Sequence, residues 1–128
     1  MNREIKFRAW DKKAKQYTNN VNVNFMCGAV NSESNKVIFQ RYCFEQFTGL
    51  KDRNEKEIYE GDVVNVVNED DELLKCIDVI SRVYFCDGMF VIDENEFQIP
   101  LYETFNREYG CQVIGNIHEN PELLEGKG

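Results

Sequence analysis

The feature that most constrains this chain is alternation: apolar and polar side chains change places at every residue over stretch after stretch. In residues 4–10, Ile5, Phe7 and Ala9 alternate with Glu4, Lys6 and Arg8. A period of two puts the apolar set on one face of a β-strand. Residues 20–25 (NVNVNF) alternate fully, with Val21, Val23 and Phe25 opposite three asparagines. Asparagine forms strands poorly, so this segment is expected to be short or to lie at a sheet edge. Residues 37–44 (VIFQRYCF) are β-branched and aromatic and predict a strand partly covered on both faces.

The second half repeats the pattern in shorter units. Residues 51–56 read as a polar turn. Glu60-Gly61-Asp62 reads as a tight turn feeding an apolar strand over 63–67, and residues 68–72 (NEDDE) as an acidic loop. Strand material follows over 73–85, interrupted near Ser81-Arg82. Asp87-Gly88 is the clearest hairpin signal, because Asp-Gly tolerates the positive φ angles of a type I′ turn and apolar runs flank it. The returning strand covers 89–92. A further run over 97–101 contains Pro100, which places it at an edge or a strand end. Residues 110–118 give the last strand, and Asn120-Pro121-Glu122 predicts one closing helical turn. No stretch carries a long amphipathic helical pattern. The reading is mainly β with little helix: about five short strands in the second half, as in a small barrel or sandwich, and a strand-rich first half packed on it or pairing with other copies.

With 128 residues, 42% of them hydrophobic, the chain is long enough to bury a core without disulfides or metal. Its net charge of −8 is unevenly placed. Residues 1–59 carry 11 basic against 7 acidic side chains, a net of +4; residues 60–128 carry 4 against 16, a net of −12. The acidic half repels a phosphate backbone, which argues against a general nucleic-acid binder. The basic start (Arg3, Lys6, Arg8, Lys12, Lys13, Lys15) could touch phosphate locally, or be a solvated strand edge and turn. Opposite signs at the two ends also favour head-to-tail association between copies. The five cysteines (27, 43, 76, 86 and 111) form no C-x-x-C pair and are odd in number. With an opening MNREIKFR unlike a signal peptide, and no apolar run of membrane length, they predict reduced thiols in a cytoplasm and no membrane association.

Tests for chemistry return little. His118 is the single histidine and is expected on the polar face of the last strand; no serine lies in a G-x-S-x-G elbow. The cysteine spacing does not suit structural zinc. Residues 69–72 lack the alternating ligands and turn glycine of a calcium loop. The glycines are scattered, without a phosphate-binding pattern. Glu57, Glu60 and Asp62 lie close in sequence, and turn and surface roles account for them. No catalytic residue, metal or cofactor is therefore expected. A possible interaction surface comprises Arg3, Arg8 and Trp10: Phe7 falls with the core-facing set, which leaves Trp10 as the ring expected to be exposed, able to stack on a base or meet another subunit.

Three blocks carry a family resemblance: REIKFRAWD (residues 3–11), QFTGLKDRNEKEIYEGDVV (46–64) and VIGNIHENPELL (113–124). In order and spacing they resemble the YopX family of phage and prophage proteins. This chain has Asn54-Glu55 where the family usually has Asn-Gly, which should weaken the turn because glutamate disfavours positive φ. It has His118 where the family usually has an aromatic residue, which lowers any catalytic role for that histidine. The resemblance implies a phage accessory protein of unassigned biochemistry, with a C-terminal SH3-like barrel over 58–128 and an N-terminal β portion over 1–57 suited to oligomerisation. It implies no catalytic residues, and reads the acids of Glu60-Gly61-Asp62 as solubilising.

The expected function is thus a non-enzymatic accessory protein in the bacterial host cytoplasm. It is expected to be a homo-oligomer that offers a surface to a protein partner. The alternatives are a nucleic-acid-associated factor using Arg3, Arg8 and Trp10, or an acidic inhibitor of a host nucleic-acid enzyme.

Overall fold

The computed structural model describes residues 4–18, 21, 41–70, 75–94, 96–106 and 110–125. The chain is mainly β, as its alternation predicts. Among the described residues ten strands follow one another: β1 Phe7–Asp11, β2 Gln16–Thr18, β3 Tyr42–Lys51, β4 Glu57–Tyr59, β5 Asp62–Asp70, β6 Lys75–Arg82, β7 Tyr84–Cys86, β8 Met89–Glu94, β9 Phe97–Pro100 and β10 Cys111–Asn116. The 3-10 turns Leu101–Asn106 and Pro121–Leu123 supply short helical segments among the described residues. Among the described residues no helix is long and apolar enough to cross a membrane. The strand expected over 20–25 lies outside the described residues apart from Val21, as do residues 37–40 of the strand expected over 37–44.

The chain divides into two compact units, Met1–Phe47 and Thr48–Gly128. At the start of the second unit Thr48 Oγ1 donates to the Ile58 carbonyl at 2.7 Å.

In the first unit β1 pairs antiparallel with β2 on one side and β3 on the other. Residues 12–15 turn the chain between β1 and β2. Asp11 closes this turn by accepting the backbone N–H groups of Lys13 and Ala14, both at 3.0 Å. β3 continues into the second unit, where its sheet neighbour is β4.

The second unit holds two three-stranded antiparallel sheets, ordered β10-β5-β6 and β7-β8-β9. Its core is Ile58, Val64, Val66, Val79, Val83, Ile92, Leu101, Cys111 and Val113, with Leu50, Phe90 and Ile99 packed against it. Each fully buried branched side chain contributes on the order of 1.5–3 kcal/mol. β5 sits centrally, and Val63 and Val64, which point to opposite faces, are both fully buried. Residues 68–70, expected as an acidic loop, instead extend the β5–β6 ladder, with Asn68 opposite Ile77 and Asp70 opposite Lys75. The Asp-Gly hairpin forms as read: Asp87 and Gly88 take φ of 52° and 83° between β7 and β8. Asp62 is a correction. It is buried, not solubilising, and its Oδ2 accepts the Tyr59 N–H at 2.8 Å across the turn.

Candidate interaction surface

Of the three residues singled out from the sequence, two are described, and Arg8 and Trp10 are both engaged within the first unit. Arg3 lies outside the described residues. Arg8 faces Glu45, its register partner on β3, with Nε 2.8 Å from Oε1, and its guanidinium lies 4.1 Å from the centroid of the Tyr17 ring. Tyr17 completes the group by donating its hydroxyl to the same Glu45 oxygen at 3.0 Å. Trp10 is only 6% exposed. It sits opposite Tyr17 in the β1–β2 ladder, and the two rings meet edge-on with centroids 5.0 Å apart. The expectation of an exposed Trp10 ring is therefore corrected. Alternation correctly put Phe7 and Trp10 on opposite faces, but β1 is an inner strand, and cross-strand aromatic packing covers its second face as well.

Arg41 is similarly engaged. Its Nε and Nη2 donate to Asp11 Oδ1 and Oδ2 at 2.9 and 2.8 Å, a two-pronged pairing. The guanidinium, with help from the Lys13 and Ala14 amides, holds the Asp11 carboxyl well below the usual carboxylate range. Cationic side chains of the adjoining turn, Lys12, Lys13 and Lys15, are exposed.

The exposed apolar residues are mostly elsewhere, in the second unit. Register assigns the faces of the β7-β8-β9 sheet. Phe85 opposes Phe90, Ile92 opposes Ile99 and Glu94 opposes Phe97, so these six side chains share one face. The middle of that face is core, with Ile92 fully buried. Its two ends are not: Phe85 is 54% and Phe97 is 72% exposed. Phe85 meets Phe90 edge-on at 5.2 Å, which anchors the inner ring and leaves the outer one in solvent.

The opposite face carries a polar array across all three strands. The Tyr84 hydroxyl on β7 donates to Asp93 Oδ1 on β8 at 2.5 Å, and Gln98 Nε2 on β9 donates back to the Tyr84 oxygen at 2.9 Å. The Arg82 guanidinium lies 4.8 Å from the Tyr84 ring centroid. The bond to a carboxylate stabilises the neutral phenol, so Tyr84 is pushed above its ordinary value of 10.0. Met89 is also exposed on this face, beside its register partner Cys86.

The 3-10 turn after β9 is two-sided. Leu101 and Thr104 are buried, and the Thr104 hydroxyl donates to the Leu101 carbonyl at 2.8 Å. Tyr102 and Phe105, also three apart and therefore on one side of a 3-10 helix, point to solvent. Together the sheet and turn expose Phe85, Met89, Phe97, Tyr102 and Phe105 among Asp87, Glu96 and Glu103. Sequence reading missed these exposed side chains. Their signal was the density of aromatic residues either side of Pro100, which a strand assignment treats as core.

The family model described as YopX protein matches residues 6–125. A curated relative, the SPbeta prophage-derived uncharacterized protein YopX of Bacillus subtilis (strain 168), is 34% identical over 74 residues. That alignment covers 56% of this chain and 52% of the relative, so the match spans about half the relative's length. Among solved structures, the crystal structure of protein EF1440 from Enterococcus faecalis is similar with a TM-score of 0.64 and 28% identity, over 97% of this chain and 100% of that one.

Proposed function

The chain belongs to the YopX family, and from that premise we propose a non-enzymatic phage or prophage accessory protein that self-associates and presents a surface of its C-terminal unit to a protein partner. The observation that carries the proposal is the set of large apolar side chains left in solvent on one sheet and the turn after it: Phe85, Met89, Phe97, Tyr102 and Phe105. Single exposed hydrophobes are ordinary, but aromatic residues are enriched in the cores of protein interfaces.

Several finer parts of the reading have their own support. Two three-stranded sheets around one apolar core suit a small SH3-like barrel in the second unit. The N-terminal β region offers Ile5, exposed ahead of β1, for contact between copies. The buried carboxylates Asp11, Asp52 and Asp62 are occupied with backbone or arginine hydrogen bonds, which suits structural rather than catalytic roles. Thiols outside any disulfide at Cys43, Cys86 and Cys111 suit the cytoplasm of a bacterial host. The nucleic-acid alternative loses its main support, because Arg8 is paired and Trp10 buried.

Sedimentation velocity over a wide concentration range tests the proposal. Concentration-dependent association is expected; a strict monomer at high micromolar concentration would remove self-association from it.

A further inference from the structure

The exposed lysine turn and the exposed aromatic residues lie on different units, and each lacks what the other supplies. The turn over residues 12–15 exposes three lysines, Lys12, Lys13 and Lys15, with no acid among them. The segment from Glu96 through β9 and its 3-10 turn exposes Phe97, Tyr102 and Phe105, and its charged residues, Glu96 and Glu103, are both acidic and both exposed. We propose that the β9 and 3-10 turn surface of one copy receives the lysine turn of a second copy. This deepens the self-association reading above and rests on it.

The chemistry is complementary in two ways. Glu96 and Glu103 oppose the ammonium groups, and exposed rings in the same segment suit lysine, whose aliphatic stem packs on an aromatic face while its head reaches an acid. The turn is suited to insertion because its backbone is already fixed. Asp11 holds the Lys13 and Ala14 amides, and the Lys15 N–H donates to the Asp11 carbonyl at 2.8 Å. A preordered turn loses little further entropy on docking. The two surfaces differ, so the contact is heterologous: each copy uses its turn on one neighbour and its receiving surface on another, which builds a ring or a filament rather than a two-fold dimer.

Charge reversal on each side, followed by mixing, tests this. One variant carries Lys12→Glu and Lys13→Glu; the other carries Glu96→Lys and Glu103→Lys. All four positions are exposed, and circular dichroism with thermal melting checks that both variants fold. Each variant alone should associate about tenfold more weakly than the parent, since like charges then face each other. An equal mixture should recover association, because the acidic turn of one now meets the basic surface of the other. Association of the parent should also weaken with added salt. Parent-like association of either variant alone, or a mixture that recovers nothing, would overturn this contact and leave self-association standing. A monomeric parent would overturn both.

Discussion

Oδ2 of Asp52 accepts the backbone N–H of Val113 at 2.8 Å, joining residues 61 apart in the chain. The other oxygen accepts the N–H groups of Asn54 and Lys56 at 2.8 and 2.9 Å, so one buried carboxylate closes the turn between β3 and β4 and fastens it to β10. The neighbouring Arg53 N–H donates to the Cys111 carbonyl at 3.0 Å. Val113 is also where the β10–β5 ladder breaks step: Val113 opposes Val64 and Gly115 opposes Val63, leaving Ile114 as the bulged residue.

Asp52→Ala removes the acceptor for three amides. Water can reach the turn amides, but that of Val113 is buried, so a loss of about 2–3 kcal/mol is expected. Urea unfolding checks it. A loss under about 0.5 kcal/mol, the scale of an ordinary surface change, would show that the carboxylate is dispensable.

Glu55 adopts φ of 65°, a left-handed conformation that glycine takes at little cost and glutamate does not. The Glu55 N–H donates to the Asp52 carbonyl at 3.0 Å, a bond that a substitution here preserves. Glu55→Gly should therefore stabilise the protein by about 0.5–1 kcal/mol. An unchanged or lower denaturation midpoint would contradict the strain argument.

A Cβ on Gly115 would lie 2.6 Å from Asn120 Oδ1 and 2.9 Å from Asn120 Cβ. Asn120 cannot move freely, because its Oδ1 accepts the Asn116 N–H at 3.2 Å and its own N–H donates to the Asn116 carbonyl at 2.9 Å. Gly115→Ala should cost about 1–3 kcal/mol. Combining it with Asn120→Gly should recover part of that loss, a non-additivity that thermal melts of the single and double variants will measure.

Tyr84 should titrate later than an ordinary tyrosine, because ionisation gives up its bond to Asp93 and places two anions together. The sign for stability follows from the raised value. The contribution is fully present below the ordinary pKa of about 10 and fades as pH rises through the higher folded value. NMR titration of the ring carbon bearing the hydroxyl should place Tyr84 above 10.0 in the parent and nearer to it in Asp93→Ala. Equal values in both would rule out the carboxylate as the cause.

Local chemistry made much of this protein legible. Asp87-Gly88 specified its turn because few other residue pairs accept two positive φ angles. The alternation of residues 4–10 and the β-branched run from Val63 gave strands, because side-chain direction along a strand is a local property. The weakness expected at Glu55 was visible for the same reason: φ belongs to one residue. What the sequence could not decide was which second face is covered. Trp10 points away from the Ala9 face and would be solvent-exposed on an edge strand; β1 is an inner strand, and Tyr17 lies against the ring. Asp62 and Asp52 have the composition of surface turns, yet partners reached only through folding make them buried acceptors. Conversely Phe85 and Phe97 have the pattern of core residues and stand exposed, because they lie on a core-facing sheet face at positions beyond the end of the core. Alternation fixes direction; burial depends on what the rest of the chain brings to each face, and only the tertiary structure decides that.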